Sequence, residues 1–309
     1  MRVTPFSWSA TDRTWRARRR AACAVVMLLG FGFAAHAQEK PLPDLDAVLK
    51  GLRKTLHSDR VLLSQYTYLE KSTQKSLDKK GAVTKTEVEV SEVYPSLDQE
   101  LSYIRVISKN GTPTDPKELE KKDREQQKKV LERMGKVERD SAAQKEKRQA
   151  RIAEERRKED ETIDEAFALY AVTMKGREVV DGHDAIVLEF RPRPNFKTKT
   201  DNGKTLKKLT GRVWVDERDH ELIRIELNLE DTISIGLGVL ARLNPGAHAM
   251  YQRRLVNNEI WLPAEVRYTG SARIMLFKGM RLDVSSEYSG YKKFSVDTAT
   301  TFLGPKPTQ

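Results

Sequence analysis

Between Thr210 and Leu229 apolar and polar residues alternate with a period of two, the spacing of strands with one buried face. Val213 and Val215 alternate with Arg212, Trp214 and Asp216, and Ile223, Ile225, Leu227 and Leu229 alternate with Arg224, Glu226 and Asn228. The polar run Asp216 to Glu221 between them reads as a turn, so the pattern predicts an antiparallel ribbon with one aliphatic and one charged face. A two-stranded ribbon is marginal in water. More strands must therefore extend it, and a second layer must cover its apolar side.

Upstream the period changes. Leu45, Val48, Leu49, Leu52, Leu56 and Leu63 recur at steps of three and four opposite Lys50, Arg53 and Lys54, which predicts an amphipathic helix begun by an Asp44 N-cap. Leu49 and Leu52 lie on its apolar stripe. Strand chemistry then starts at Tyr66, turns at Asp78 to Gly81, resumes over Val83 to Val93 and again over Leu101 to Ser108, and stops at Asn110-Gly111. Further strands are predicted at Met174 to Val180 and Ala185 to Phe190, joined by an Asp181-Gly182 turn, and pairing is interrupted at Arg191-Pro192-Arg193-Pro194.

Beyond the ribbon, Ile233, Ile235, Leu237, Val239, Ala241 and Leu243 fall on one face of an extended segment. A buried helix competes for these residues, but Gly236 and Gly238 in its interior disfavour it. Met250 to Val256, Ile260 to Pro263, Glu265 to Tyr268, Ala272 to Phe277 and Arg281 to Tyr288 continue the meander. The expectation is a mainly antiparallel β fold of about nine to eleven strands, which at that width curls and so has a concave side.

One segment breaks this pattern. From about residue 115 to 165 apolar positions are sparse, while Glu118/Lys122, Glu120/Arg124, Glu125/Lys129, Glu132/Lys136 and Glu154/Lys158 place acid four residues before base, the order that supports a solvated helix. A long charged helical insertion in a single domain spanning residues 38–309 is predicted, bent or divided near Gly135. Its charges are balanced and it lacks interleaved aromatics, which argues against nucleic-acid binding.

The first 37 residues do not fit the fold. Arg16, Arg18, Arg19 and Arg20 precede an apolar run from Ala21 to Ala35, and Ala35-His36-Ala37 is a small-residue cleavage pattern, so a secretory signal peptide cut after Ala37 is expected. Roughly fifteen apolar residues are too few for the ~20 that span a bilayer, and no transmembrane span is expected in the mature chain. Removing six arginines and one aspartate lowers the formal net charge from +11 to +6. Cys23, the single cysteine, departs with the signal, so thiol chemistry is excluded.

Catalytic signatures are absent. His57, His183, His220 and His248 are scattered without metal-ligand spacing, and His183 and His220, in or beside turns, read as solvated. No G-x-S-x-G or P-loop occurs, and neither cofactor nor metal is implied. Trp214, Trp261 and the tyrosines 66, 68, 288 and 291 read first as strand packing and second as a ligand platform.

The strand Gly211-Arg212-Val213-Trp214-Val215-Asp216, the following Ile223-Arg224-Ile225-Glu226, and Trp261-Leu262-Pro263, behind a signal peptide and an amphipathic helix, resemble the LolA/LolB-type periplasmic lipoprotein-sorting proteins and the related RseB-type sensor domains. The resemblance spans roughly residues 44 to 294, less the charged insertion. It implies a curved half-barrel in the periplasm whose apolar cavity takes lipid or the acyl chains of a lipoprotein, without catalysis. On that expectation the lining comprises Val213, Val215, Ile223, Ile225, Leu227, Leu229, Ile235 and Leu237 from the sheet with Leu49 and Leu52 from the helix. The insertion is no part of the sorting pattern, and the alternative is an envelope interaction or stress-sensor module that meets a protein partner through residues 117–161.

Overall fold

The computed structural model describes residues 40–56, 59–98, 101–139, 141–235, 241–274 and 278–293. The expected signal peptide and Leu237 lie outside them. Helix α1, Leu45–Thr55, begins at Asp44, whose side chain accepts from the Ala47 amide at 2.9 Å. It ends eight residues short of Leu63, and a single turn, α2, follows at Arg60–Leu63. The strands are β1 (Tyr66–Leu77), β2 (Val83–Tyr94), β3 (Tyr103–Lys109), β4 (Thr112–Pro113), β5 (Tyr170–Val180), β6 (His183–Pro192), β7 (Leu209–Asp216), β8 (Leu222–Leu229), β9 (Ile233–Ile235), β10 (Ala241–Leu243), β11 (His248–Val256), β12 (Ile260–Ile274) and β13 (Lys278–Lys293). Between β4 and β5 run α3, Pro116–Glu138, and α4, Ala142–Leu169, while α5 is a short helix at Asp201–Leu206.

All thirteen strands join one antiparallel sheet in the order β4-β3-β2-β1-β13-β12-β11-β8-β7-β6-β5, with the β9-β10 pair attached to β12. The surplus over the expected count comes from the two-residue β4 and the three-residue β9 and β10. Among the described residues no pairing closes the order, so the sheet is open.

The core is concentrated in β5 to β8. Ile186 and Leu188 on one face of β6, and Ala185 and Val187 on the other, are all buried, the mark of strands covered on both sides. On the first face α1 lays Val48 and Leu52 against Ile186, Leu188, Val215 and Leu222. Each fully buried aliphatic side chain contributes about 1.5–3 kcal/mol. Close seating of α1 needs Gly51, because a Cβ there would lie 2.3 Å from Cγ of His220.

The second face corrects the expected charged side of the ribbon. A register shift between Trp214 and Val215 inserts one extra residue into β8, so Leu222 opposes Val215 and Ile223 no longer shares a face with Ile225. Ile223 instead packs with Trp214, Val187 and Trp261. Arg224, held 4.8 Å over the Trp214 ring, covers this cluster with its planar cation. His183 is not solvated either. Its Nδ1 lies 3.2 Å from the buried Asp216 and its ring meets the Trp261 edge at 4.8 Å.

The charged segment forms two helices, the second opened by a reciprocal Ser141/Gln144 capping box. Neither floats free. Asp123 of α3 accepts from the Tyr103 hydroxyl at 2.7 Å and pairs with Arg105 at 3.0 Å, and Arg133 pairs with Asp98 at 2.7 Å, so one polar stripe of the helix is tied to β3 and the loop before it. The last turn of α4 is anchored by Glu165, whose carboxylate accepts from the amides of Lys199 and Thr200 and from the Thr200 hydroxyl. Gly203 leaves room for that carboxylate, since a Cβ would lie 2.3 Å from its Cδ.

Candidate functional site

The sheet register continues the apolar face of β6 and β7 beyond the strands that α1 covers. Val213 pairs with Ile225, Ile225 with Tyr251, and Tyr251 with Val266. One rung along, Gly211 pairs with Leu227, Leu227 with Ala249, Ala249 with Tyr268, and Tyr268 with Val284. Directly paired residues in an antiparallel ladder share a face. Two parallel rows of apolar side chains therefore cross β7, β8, β11, β12 and, in the second row, β13.

Cover over these rows is uneven. Val213 and Ile225 touch the buried clusters under the helices, and Leu227 touches the one formed by Leu169, Tyr170 and Phe190. Tyr251, Val266, Tyr268 and Val284 belong to none of these clusters and are half-buried. One polar atom interrupts the second row. The Tyr268 hydroxyl is buried without a hydrogen-bond partner among the described residues, and burial pushes its ionisation upward. A donor left in this state in an apolar surface costs about 1–3 kcal/mol unless something met there accepts from it.

One margin of the rows is closed by charge. Arg253 is 5% exposed; its guanidinium lies 3.1 Å from Asp59 and 2.8 Å from Glu221 and donates to the carbonyl of Trp261 at 2.9 Å. The Tyr251 hydroxyl donates to Asp59, and burial foremost, then the Asp59 charge, pushes the phenol far above its ordinary value. Asp59 and Glu221 are thus spent on one buried cation and are not a free acid–base pair. Among the described residues no group of three or more His, Cys, Asp or Glu is arranged to hold a metal, and no helix is long and apolar enough to cross a membrane.

The expected lining residues divide into four groups. Val215 and Leu52 are sealed in the core beneath α1, with Leu49 half-buried beside them. Ile223 lies on the other face. Val213, Ile225, Leu227 and Leu229 stand on the face described here, with Leu229 buried. Ile235 is in β9, paired to Ala241, and Leu237 is outside the described residues. Sequence reasoning missed Tyr251, Val266, Tyr268 and Val284. Each alternates within its own strand, but only the pairing of β11 with β8 and β12 brings them beside Ile225 and Leu227.

No family model matches the chain, and no curated protein does. Among solved structures it is similar to a DUF1329 family protein from Desulfovibrio piger, at 13% identity over 87% of this chain and 100% of that one, with a TM-score of 0.29. It is also similar to a LolA superfamily protein from Nitrosomonas europaea, at 10% identity over 84% and 98% of the two chains, TM-score 0.27. A chain of the Pseudomonas aeruginosa MucA/MucB complex is matched at 11% identity over 83% and 96%, TM-score 0.22. At TM-scores of 0.22 to 0.29 these likenesses carry no functional argument.

Proposed function

We propose that this chain is a non-catalytic binding protein for lipid or the acyl chains of a lipoprotein, acting in the periplasm after removal of residues 1–37. The observation that carries the reading is the pair of apolar rows across β8, β11 and β12, half-buried where a monomeric sheet ought to be sealed by its own helices. Each methylene withdrawn from water contributes about 0.8 kcal/mol, so an acyl chain laid along the rows needs no polar recognition to be held. The Tyr268 hydroxyl, buried and unpartnered among the described residues, becomes a donor for an ester or headgroup oxygen once its ring shifts toward the ligand.

Displacement of a fluorescent fatty-acid probe, read beside native mass spectrometry of protein isolated with its bound lipid, tests this. Val266→Asp and Val284→Asp place charge on half-exposed positions outside the buried clusters, so they should abolish probe binding and leave the far-UV spectrum unchanged. Wild-type protein that carries no lipid and ignores the probe overturns the proposal.

A second reading draws on one observation. Leu131 and Met134 on α3 and Ile152 on α4 are exposed at 53%, 54% and 44% on otherwise charged helices. An envelope protein that docks there should lose affinity for the Leu131→Lys/Met134→Lys protein while probe binding stays intact. Equal capture by both proteins refutes it.

A further inference from the structure

The face of the sheet away from the apolar rows carries the opposite chemistry at one end. Arg242 of β10 and Arg273 of β12 are directly paired, and Arg281 of β13 pairs with Ser271, two residues from Arg273 on the same side. Alternation along β12 turns Ser271 and Arg273 away from Tyr268 and Ala272. With Lys79, from the turn between β1 and β2, the three arginines line an open groove of about 570 Å³.

Like charges placed directly opposite in an antiparallel pair are destabilising. No described carboxylate forms an ion pair with Arg242, Arg273 or Arg281. The acid in the groove wall, Asp78, accepts from the amides of Lys80 at 2.8 Å and Ala82 at 2.9 Å through one oxygen, and its charge, with Asp283 two residues from Arg281 on β13, offsets only part of the four cations. Arg281 reaches only the Lys79 carbonyl, at 3.1 Å. Four cations and one carboxylate share one groove, which leaves it with a net positive charge.

We propose that this groove docks the protein on an anionic phospholipid surface, its guanidinium groups meeting lipid phosphates. Guanidinium matches phosphate geometry with paired donors, and each basic side chain near an anionic bilayer contributes a favourable, salt-screened increment. A bilayer is favoured over a small soluble anion because the four cations come from four separate elements, the β1–β2 turn, β10, β12 and β13, spread along one open groove. The site itself is Lys79, Arg242, Arg273 and Arg281.

Co-sedimentation of the mature protein with phosphatidylcholine vesicles, with or without about one-third phosphatidylglycerol, tests the proposal at low and at 0.5 M salt. Binding should require the anionic lipid and vanish at high salt. The Arg242→Gln/Arg273→Gln/Arg281→Gln protein should lose about two orders of magnitude in partition, from roughly fivefold lost per removed charge. Lys121→Gln/Lys129→Gln/Lys145→Gln removes the same net charge from the exposed surface of α3 and α4, and its partition should fall less than threefold. Thermal unfolding should show the arginine variant at least as stable as wild type, because a repulsive pair has been removed. Equal loss in the lysine variant, equal binding to neutral vesicles, or no vesicle binding together with arginine-dependent binding of inorganic phosphate would each overturn the assignment. The fatty-acid probe reads a different face, so failure of the acyl-binding proposal leaves this result distinguishable.

Discussion

Replacing Arg253 with methionine tests whether the buried ion cluster beside the apolar rows is structural in the way its geometry implies. The Arg253 side chain is 6% exposed, and the Asp59 and Glu221 side chains that flank it at 3.1 and 2.8 Å are 15% and 21% exposed. Removing one partner of a buried pair leaves its counter-charge uncompensated and costs about 3–5 kcal/mol. Because both carboxylates keep some contact with water, the lower end of that range is expected, about 3 kcal/mol. The informative comparison is with Asp59→Asn/Arg253→Met/Glu221→Gln, which removes all three charges. That protein should recover most of the loss, retaining a deficit of about 1 kcal/mol for the donation to the Trp261 carbonyl at 2.9 Å. Urea unfolding at neutral pH measures both, with equal m-values required for the comparison. A cost under 1 kcal/mol for the single variant, or a triple variant less stable than the single one, would refute a structural role for the buried cluster.

Three further substitutions have outcomes set by the packing of the helices. Leu52→Ala opens a cavity beneath α1 and should cost about 2–5 kcal/mol in urea unfolding, and a value below 1 would mean that α1 is not held by the Ile186, Leu188 and Val215 surface. The Thr200 hydroxyl, then the amides of Lys199 and Thr200, hold the Glu165 carboxyl below its ordinary range. Its stabilisation is therefore complete above the unfolded value of about 4.3 and disappears as pH falls through the lower folded value, so Glu165→Gln should flatten the acid limb of a stability–pH curve. An unchanged acid limb refutes that. Ser141→Ala removes the capping box that opens α4 and should cost about 1 kcal/mol of helix stability by thermal unfolding, without affecting the fatty-acid probe.

The chain by itself determined most elements that local chemistry specifies, though the Thr200-capped α5 went unread and the three strands expected between Ile260 and Phe277 are one continuous β12, Ile260–Ile274. Asp44 with the stripe Leu45, Val48 and Leu52 marks a capped amphipathic helix, Asn110-Gly111 and Asp181-Gly182 mark turns with positive φ, and the acid-before-base spacing marks α3 and α4. These signals act over a few residues and need no partner. Strand pairing is different, because its partners lie far apart in sequence. Tyr66 faces Lys293 across the sheet, and Tyr251 is set between Ile225 and Val266. One inserted residue opposite Trp214 was enough to send Ile223 to the other face, since a period of two converts any single-residue shift into a change of side. Which aliphatic residues are core, which form a half-open surface, and which arginines are brought together were consequently decided by tertiary register. Local propensity encodes the strand, whereas its neighbours settle what that strand's side chains can touch.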